Sequence, residues 1–445
     1  MASSRKSNLA DTVAARLAPL LPTRSHILVG LSGGMDSVVL LHLLHTLAAR
    51  FEWRLSALHV HHGISPNADA WADFCSDLCV RYGIPLHLHH VDIAPLRDRH
   101  GIEAAARKLR HAAFAGTDCD AVALAHHADD QVETLLLQLL RGAGIKGAAA
   151  MPVFKPATRD TPATVRPLLD ISRSMLHEYA HHHGLRWVED ESNVDERYPR
   201  NFLRHRLLPL LEERFPAYRE TLVRSAGHFA ETSSLLDELA RQDAQGMALD
   251  AALDIRPLRE LAAHRAKNLL RHFLQIQGAP MPHSAQLDEM LHQLLAARDD
   301  AAVCVGFGEW QLRRYQDKAY VSRSAGWFDR SLVLPWQGES ELQWPALDTV
   351  IHFRDSRQQG ISLAKLRRAP VTVRLRGGGE SLRPGPAATT RSLKNLLQEH
   401  HVPPWRRERL PLLYSGEQLV CVVGVGIHAE YQAAAGEAGV LVSLA

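Results

Sequence analysis

Short apolar runs alternate with stretches of helical spacing over the first third of the chain. The runs that predict strands are His26–Leu31, Leu55–His61, Leu86–Val91 and Ala121–Ala125. Apolar, β-branched runs are typical of buried strands, and the amphipathic stretches between them predict helices. This alternation indicates an α/β fold with a doubly wound parallel sheet. Ligands of such sheets bind beyond the carboxyl ends of the strands, where we therefore look for functional residues.

The pattern changes after residue 150. Residues 151–170 are rich in Pro and Thr and predict a loop that leads out of the sheet. Helical spacing then returns, with interruptions at Pro209 and Pro216, over residues 172–184, 201–245 and 256–298. This part of the chain is therefore expected to be rich in helix.

Short strands are predicted from residue 301 onward, with a linker at Gly338–Asp348 and one helix near Ser392–His400. These shifts in pattern predict three domains. They are an α/β domain over residues 1–215, a mostly helical domain over 216–335 and a small α+β domain over 350–445.

Bulk composition excludes several classes of protein. The 445 residues are 46% hydrophobic and 22% charged, as in ordinary globular proteins. No run approaches the roughly 18–20 apolar residues of a membrane span, so no membrane partner is expected. Five cysteines argue against a disulfide framework and predict a reducing, cytoplasmic location.

Positive charge is concentrated near the end of the chain. The net charge is only +2, but Arg354–Arg409 holds 13 Lys/Arg against 4 Asp/Glu. Such asymmetry predicts a basic face for nucleic acid. A solvated basic domain without a partner explains the composition equally well.

A glycine-rich turn, Ser32-Gly33-Gly34-Met35-Asp36-Ser37, follows the first predicted strand and precedes a helix. Its backbone N–H groups and the helix N-terminus form a cradle for phosphates, to which the serine hydroxyls add donors. The turn lacks the lysine of a Walker loop and carries Asp36 instead. A carboxylate beside phosphates is repulsive without a cation between them, so Asp36 predicts Mg²⁺ bound with a nucleotide.

An acidic helix follows the fourth predicted strand, in His126-His127-Ala128-Asp129-Asp130-Gln131-Val132-Glu133. Asp130 and Glu133 share one helix face, as do Asp129 and Glu133. These acids predict a pocket for a cation, either a metal or an ammonium group. Helix capping is the alternative, because acids in a first turn are favoured by the helix dipole.

Three basic segments are further candidates. Arg107 and Arg110 share a helix side, Lys146 lies in the mobile Gly-rich segment 141–147, and Arg200, Asn201 and Arg204 share a helix face. Arginine suits bidentate contacts with phosphate and base edges. A solvated, salt-bridged surface is the alternative for the first and third segments. The segment 141–147 could close as a lid on phosphate or substrate, and an ordinary C-cap glycine at Gly142 explains only its first part.

Histidine and cysteine spacing does not predict a metal site. The clusters His59, His61, His62 and His181–His183 lack the spacing of zinc motifs. Cys75 and Cys79 are expected to be small buried thiols, although a sulfur-transfer role stays open.

Taken together, these segments resemble the bacterial tRNA(Ile)-lysidine synthetases, members of the PP-loop (N-type) ATP pyrophosphatases. The turn Ser32–Ser37 looks like the PP-loop signature S-G-G-x-D-S. The resemblance also covers His59–Ile64, Glu103–Arg110, Ala125–Arg141, Glu189–Asn193 with Arg200-Asn201, Arg374–Glu380, Lys394–Leu397 and Pro403–Arg407. It departs at Glu191, where proline is expected in this family.

The resemblance implies an ATP-dependent ligase that adenylylates the C2 oxygen of the wobble cytidine of tRNA(Ile) and joins free L-lysine to C2. AMP and pyrophosphate are the other products, and ATP and Mg²⁺ are the implied cofactors. The implied partners are a tRNA(Ile) with a CAU anticodon and L-lysine, and a homodimer is left open. Another PP-loop enzyme, such as a tRNA thiolase or a small-molecule amidating ligase, is the alternative.

Site residues are predicted in three groups. The ATP-binding residues are Ser32, Gly33, Gly34, Met35, Asp36, Ser37 and His59. The catalytic residues are Asp36, which also takes the magnesium ion, Asp130, Glu133, Arg107, Arg110 and Arg204. The tRNA-binding residues are Lys146, Arg200, Asn201, Arg374, Arg376, Arg383 and Lys394.

Overall fold

A computed structural model describes most of the chain in two compact units, one up to Leu239 and one from Ala240. The described residues are 9–95, 101–158, 161–298, 301, 303–324, 326, 328–344, 349–357, 359–385 and 388–444, without the side chains of 102–104, 192 and 193. The Glu103 side chain therefore lies outside the described part. The three predicted domains stay a prediction.

A six-stranded sheet forms the centre of the first unit, in the order β3-β2-β1-β4-β6-β5. All neighbours are parallel except the pair β5 and β6. The strands are β1 His26–Gly30, β2 Arg54–His61, β3 Leu86–His90, β4 Ala121–Ala123, β5 Phe154–Lys155 and β6 Ala163–Val165. The predicted α/β fold with a parallel sheet is confirmed, and all four predicted strands are present.

Helices cover both faces of this sheet. They are α1 Leu9–Leu17, α2 Met35–Phe51, α3 Ala68–Tyr82, α4 Ile102–Ala115, α5 Ala128–Leu140, α6 Ile145–Ala148 and α7 Arg173–His182. Ile27 and Val29 of β1 pack with α1 and α2, whereas Leu28 between them packs with Phe114 of α4. Because side chains alternate along a strand, β1 is buried on both faces and reads as a continuous apolar run.

Residues 151–170 contain two strands, so their prediction as a loop is wrong. β6 pairs with β4, and β5 turns back antiparallel to β6. Strands of two and three residues carry too few side chains to show a period, and the Pro and Thr residues around them are typical of loops.

Helices continue beyond the sheet as predicted. They are α8 Pro199–Phe202, α9 Leu208–Arg214 and α10 Tyr218–Asp243, with a wider π-helical turn at Leu203–Leu207 between α8 and α9. Pro209 lacks an N–H donor, and its ring disfavours a regular turn before it. π-helical turns are frequent at functional sites, and this one carries Arg204.

The second unit begins with helices packed on an antiparallel sheet of order β7-β10-β9-β8. The strands are β7 Leu253–Asp254, β8 Cys304–Phe307, β9 Trp310–Tyr315 and β10 Lys318–Arg323. The helices are α11 Ile255–Glu260, α12 Ala263–Ile276 and α13 Ser284–Ala296.

Two further antiparallel sheets and a hairpin complete this unit. One sheet contains β11 Val333–Pro335, β15 Val371–Arg374, β18 Leu412–Ser415, β19 Gln418–Val422 and β20 Gly426–Ile427. The other contains β12 Glu341–Trp344, β13 Thr349–Arg357, β14 Ile361–Ser362 and β21 Ala438–Leu444. The remaining elements are the hairpin β16 Ser381–Leu382 and β17 Arg391–Ser392, and the helices α14 Leu363–Leu366, α15 Leu393–Glu399 and α16 Pro404–Arg407.

The predicted linker at Gly338–Asp348 contains β12, whose Trp344 is fully buried, so that prediction is wrong for residues 341–344. Residues 345–348 lie outside the described part. The predicted helix near residue 392 is confirmed as α15.

Trp405 of α16 joins two parts of the second unit. Its ring lies edge-on to Tyr315 of β9 and Tyr320 of β10, with ring centroids 6.3 and 5.7 Å away. The Arg313 guanidinium lies 5.1 Å from the Trp405 ring centroid, a cation–π contact. The C-terminal segment is therefore packed on the sheet that precedes it.

Among the described helices, none has the length and hydropathy to cross a membrane.

Shortening Leu28 to Ala should strongly destabilise the first unit, because its side chain is fully buried against α4. We expect a loss of about 2–5 kcal/mol in the free energy of unfolding. Urea unfolding followed by circular dichroism measures this loss. Leu88→Ala, at an exposed position of β3, is the matched control and should change stability by less than about 0.5 kcal/mol. Equal losses in the two variants would contradict the burial described.

Candidate active site

The glycine-rich turn lies at the carboxyl end of β1 and leads directly into α2. The Ser37 hydroxyl donates to the Gly34 carbonyl oxygen at 2.9 Å and lies 3.1 Å from the Ser32 hydroxyl. The backbone N–H of Gly34 donates to the Ser32 hydroxyl at 3.3 Å. The two serines therefore hold the turn in shape, in addition to their predicted role as donors to phosphate.

Gly33 is the position of the turn that admits only glycine. Its φ is +86°, and a Cβ there would lie 2.9 Å from the Val188 side chain. The backbone N–H of Val188 donates to the Gly33 carbonyl oxygen at 3.0 Å. The polar segment after α7 thus supports the turn from the side, a contact between residues far apart in sequence.

Asp36 lies in the first turn of α2, and its two carboxylate oxygens have different surroundings. Oδ2 lies 3.5 Å from Nε2 of His127. Oδ1 is buried and has no hydrogen-bond partner among the described residues. A buried carboxylate oxygen without a partner next to a phosphate cradle fits a magnesium ligand.

His127 lies in the middle of the acidic site, directly before α5, and its side chain is almost fully buried. Its Nε2 is 3.5 Å from both Asp36 Oδ2 and Asp130 Oδ2, and its Nδ1 is 3.6 Å from Asp129 Oδ2. Burial alone would lower the pKa of His127, but Asp36 and the neighbouring aspartates outweigh it and raise this pKa. The imidazolium form is therefore favoured.

The two aspartates that follow His127 are held by different partners. Asp130 Oδ2 accepts the His127 backbone N–H at 3.0 Å, which is the capping predicted as an alternative. Asp129 accepts from Arg219 Nε at 2.7 Å and from the Arg173 backbone N–H at 2.9 Å. Capping and charge clustering thus occur together in the first turn of α5.

Glu133 is fully buried between two arginines. Arg204 donates to both of its carboxylate oxygens, at 2.8 and 3.1 Å, and Arg200 Nε lies 3.2 Å from Oε2. Burial raises the pKa of the Glu133 carboxyl, and the two guanidiniums oppose this shift. Glu133 is therefore already occupied by internal cations, which leaves Asp130 as the more accessible of the two predicted acids.

Two residues predicted on a tRNA-binding face point inward. Arg200 contacts Glu133, and its Nη2 donates to Thr134 Oγ1 at 3.0 Å. Asn201 is buried and donates through Nδ2 to the Asp195 carbonyl oxygen at 3.0 Å. These contacts turn both side chains towards α5 and the preceding loop, and their role with RNA stays a prediction.

His59 lies beneath the turn. It is buried, and its Nδ1 is 2.9 Å from the Leu31 carbonyl oxygen and 3.5 Å from Cys75 Sγ. Burial lowers the pKa of His59, so its neutral form is favoured. The structure shows it supporting the end of β1, and its contact with ATP stays a prediction.

The remaining predicted cations of the first unit are exposed. Arg107 and Arg110 lie near the middle of α4, and both are exposed. Lys146 lies on the short α6, with its Nζ 4.0 Å from Asp237 Oδ2. These positions leave the three side chains accessible to an anionic substrate.

The predicted tRNA-binding cations of the second unit differ in the contacts that their side chains make. Arg374 is paired with Glu417 at 3.1 Å, and Arg376 Nε lies 3.6 Å from Glu380. Arg383 donates to the Ala388 carbonyl oxygen at 3.0 Å, whereas Lys394 is exposed on α15. Their predicted role with RNA stays a prediction.

Among the described residues there is no group of three or more His, Cys, Asp or Glu side chains arranged to hold a metal. A magnesium ion in a nucleotide site needs only one or two carboxylates, because phosphates and water supply the other ligands. Burial raises the pKa of Cys75 to about 12 and that of Cys79 to about 11, which makes both unreactive thiols.

Comparison with known proteins identifies the domains and close relatives. A PP-loop domain model matches residues 5–211, a TilS substrate binding domain model matches 253–320 and a TilS substrate C-terminal domain model matches 371–444. The tRNA(Ile)-lysidine synthase of Nitrosomonas europaea is 44% identical and covers 93% of this chain and 91% of its own length. That of Coxiella burnetii is 38% identical, covering 94% and 93%.

Replacing Gly33 by Ala should destabilise the turn. The backbone there is left-handed, which costs about 1–2 kcal/mol for a residue with a Cβ, and Val188 must also move. Urea unfolding should show this loss, and ATP affinity should fall with it. Gly34→Ala is the control for stability, because φ is −71° and the nearest atom to a Cβ is 3.5 Å away. Equal unfolding midpoints for the two variants would contradict the geometry described.

His127→Gln should remove a pH-dependent contribution to stability. Because the folded-state pKa of His127 is raised, its charged form stabilises the fold below the ordinary value of about 6.5, and this is lost as pH rises through the raised pKa. Melting temperatures measured from pH 6 to 9 should therefore differ most between wild type and variant at pH 6. His89→Gln, at an exposed position, should follow the wild type throughout. A difference that grows with pH would exclude the charged histidine.

Proposed function

We propose how this chain, which belongs to the tRNA(Ile)-lysidine synthase family, uses its first unit to form lysidine on tRNA(Ile). The activity is that of a carbon–nitrogen ligase that consumes ATP. A wobble cytidine is a poor electrophile at C2, so its oxygen has to be converted into a leaving group. Adenylylation by ATP does this and releases pyrophosphate, after which the lysine ε-amine attacks C2 and AMP leaves.

The turn Ser32–Ser37 holds the triphosphate of ATP in this proposal. Its backbone N–H groups and the N-terminus of α2 face the phosphates, and Asp36 Oδ1 would bind Mg²⁺ together with phosphate oxygens. The ion supplies positive charge for the departing pyrophosphate. Gly33 gives the turn its left-handed backbone and its close approach to Val188, where a side chain would collide.

The acidic side chains around His127 are proposed to receive the amino acid. Asp130 is the predicted acid that the structure leaves partly accessible, and its Oδ2 approaches the same His127 nitrogen, Nε2, as Asp36 does. An ammonium group placed there gains charge-assisted hydrogen bonds. On loss of its proton to a carboxylate, the amine becomes the nucleophile.

Glu133 has a positioning role in this proposal. Its bidentate contact with Arg204 fixes the guanidinium, whose Nη2 lies 3.7 Å from Asp130 Oδ1. Removing one partner of such a buried pair leaves an uncompensated charge, which is strongly destabilising. Arg204 can also offset the negative charge of the adenylylated intermediate.

The RNA partner is proposed to be a tRNA(Ile) with a CAU anticodon. The target base must leave its stack to reach the site, which is easy in a single-stranded anticodon loop. The basic second unit is proposed to bind tRNA elsewhere, through phosphates. A sulfur-transfer reaction is not favoured, because Cys75 and Cys79 are buried with raised pKa values. The cytoplasmic location and the oligomeric state stay predictions.

The unpartnered Asp36 Oδ1 beside the turn is the observation that carries the proposal. Asp36→Ala should abolish lysine-dependent pyrophosphate release and leave tRNA affinity within about twofold. A pyrophosphate assay measures the first product. Mass analysis of nucleosides from tRNA incubated with ATP and lysine measures the second, lysidine.

Asp69→Ala removes an exposed carboxylate of α3 and is the matched control, which should retain full turnover. Lysidine formation by Asp36→Ala at the wild-type rate would contradict the role of this carboxylate. Pyrophosphate release by the wild type that requires a sulfur donor or ammonia instead of lysine would contradict the proposed function.

A further inference from the structure

Arg166 is a buried cation that the reaction described above does not use. It follows β6 directly, and only 8% of its surface is exposed. Its Nη1 donates to the Pro152 carbonyl oxygen at 3.0 Å, and its backbone N–H donates to the Val153 carbonyl oxygen at 2.8 Å. Its Nε has no hydrogen-bond partner among the described residues.

A second enclosed nitrogen belongs to the neighbouring strand end. β4 is the parallel neighbour of β6, and His126 lies three residues beyond the end of β4. Nδ1 of His126 is likewise buried without a partner among the described residues. Burial lowers the pKa of His126 to about 3, and although Asp130 opposes this, the charges of Arg166 and Arg110 add to it. The ring is therefore neutral and has one N–H to donate.

The charges that act on this corner of the site are mostly positive. Burial lowers the pKa of Arg166 to about 10, and the next cause is the charge of Arg107 on α4. Burial also lowers the pKa of His111 on the same helix, where Arg107, Arg110 and Arg166 all act in that direction. These like charges repel one another, so holding the cationic side chains together without an anion costs free energy.

Such an arrangement is costly unless an anion completes it. A buried guanidinium with an unused donor loses hydration that its neighbours do not replace. Carboxylates balance the half-buried arginines of this site, as Glu133 does for Arg204 and Asp129 for Arg219. At Arg166, in contrast, the strongest neighbouring charge is another guanidinium.

We infer that Arg166, with Arg107, Arg110 and His126, forms a pocket that binds one phosphate group of a substrate at the carboxyl edge of β4 and β6. This inference rests on the proposed function, which supplies two sources of phosphate, the nucleotide and the RNA backbone. Guanidinium groups suit this ligand because their donors match two phosphate oxygens at once. The pocket lies beside the turn Ser32–Ser37, since β1 is the other neighbour of β4.

Arg166→Gln tests the pocket through binding to the whole chain. Affinities for a nonhydrolysable ATP analogue and for unmodified tRNA(Ile) are measured separately, each at several salt concentrations. At least one Kd should rise tenfold or more in Arg166→Gln. The same Kd in Arg166→Lys should lie between the values of Arg166→Gln and the wild type. Arg81→Gln, an exposed arginine near the end of α3, is the charge-matched control and should change neither Kd.

The ligand whose affinity falls identifies the source of the phosphate. Weaker binding of the ATP analogue by the variant assigns the pocket to the nucleotide. Weaker tRNA binding, with a salt slope reduced by about 0.7 for one lost single-strand contact, assigns it to the RNA backbone. Unchanged Kd values for both ligands, in a variant with a wild-type melting temperature, would overturn the inference. Should Arg166→Gln fail to fold, the double variant Arg107→Gln/Arg110→Gln at exposed positions is read by the same criteria.

Lysidine formation by the wild type, measured in parallel, separates this inference from the proposed function. If the wild type forms lysidine and the variant binds both ligands normally, only the inferred pocket is contradicted. If the wild type forms no lysidine, the proposed function is contradicted, while the two affinities still decide whether Arg166 binds phosphate.

Discussion

Four carboxylates meet at the carboxyl edge of the sheet, Asp36 from the start of α2 and Asp129, Asp130 and Glu133 from the first two turns of α5, and the rest of the site is arranged around them. Each carboxylate there has a cation or an N–H donor as its partner: His127 for Asp36, Arg219 for Asp129, the His127 backbone for Asp130 and Arg204 for Glu133. Buried charge is tolerated only when it is paired in this way. The glycine turn, the widened turn at Leu203–Leu207 and α10 all contribute a partner or its support.

Parallel strands explain why these groups meet. β1, β4 and β6 end at one edge of the sheet, so Asp36, His127 and Arg166 come together although more than a hundred residues separate the first from the last. Residues that follow a strand directly are therefore recognisable from the sequence once the strand is recognised. Asp36 and Asp130 follow the ends of β1 and β4 within a few residues, and their roles in the site stay predictions.

Partners that come from helices far along the chain were not predictable in the same way. Arg219 contacts Asp129 from α10, but in the sequence it is one basic residue of an amphipathic helix. His127 stands in the sequence beside Asp129 and Asp130, but nothing local shows that Asp36 also reaches its ring. Arg166 was not predicted, because its Pro- and Thr-rich segment is typical of a loop and β6 before it was not recognised. Arg200 contacts Glu133 of α5, which is far away in the sequence, and helical spacing alone does not show this contact.

The packing of Trp405 has a consequence for how this protein tolerates being divided. Its indole covers Tyr315 and Tyr320, and the short strand β11 pairs with β15 some forty positions later. Fragments cut between the two matched substrate-domain regions would expose aromatic rings on one piece and an unpaired strand edge on the other. Exposed edges and apolar rings promote aggregation. Expression of this unit for separate study therefore requires both regions on one polypeptide.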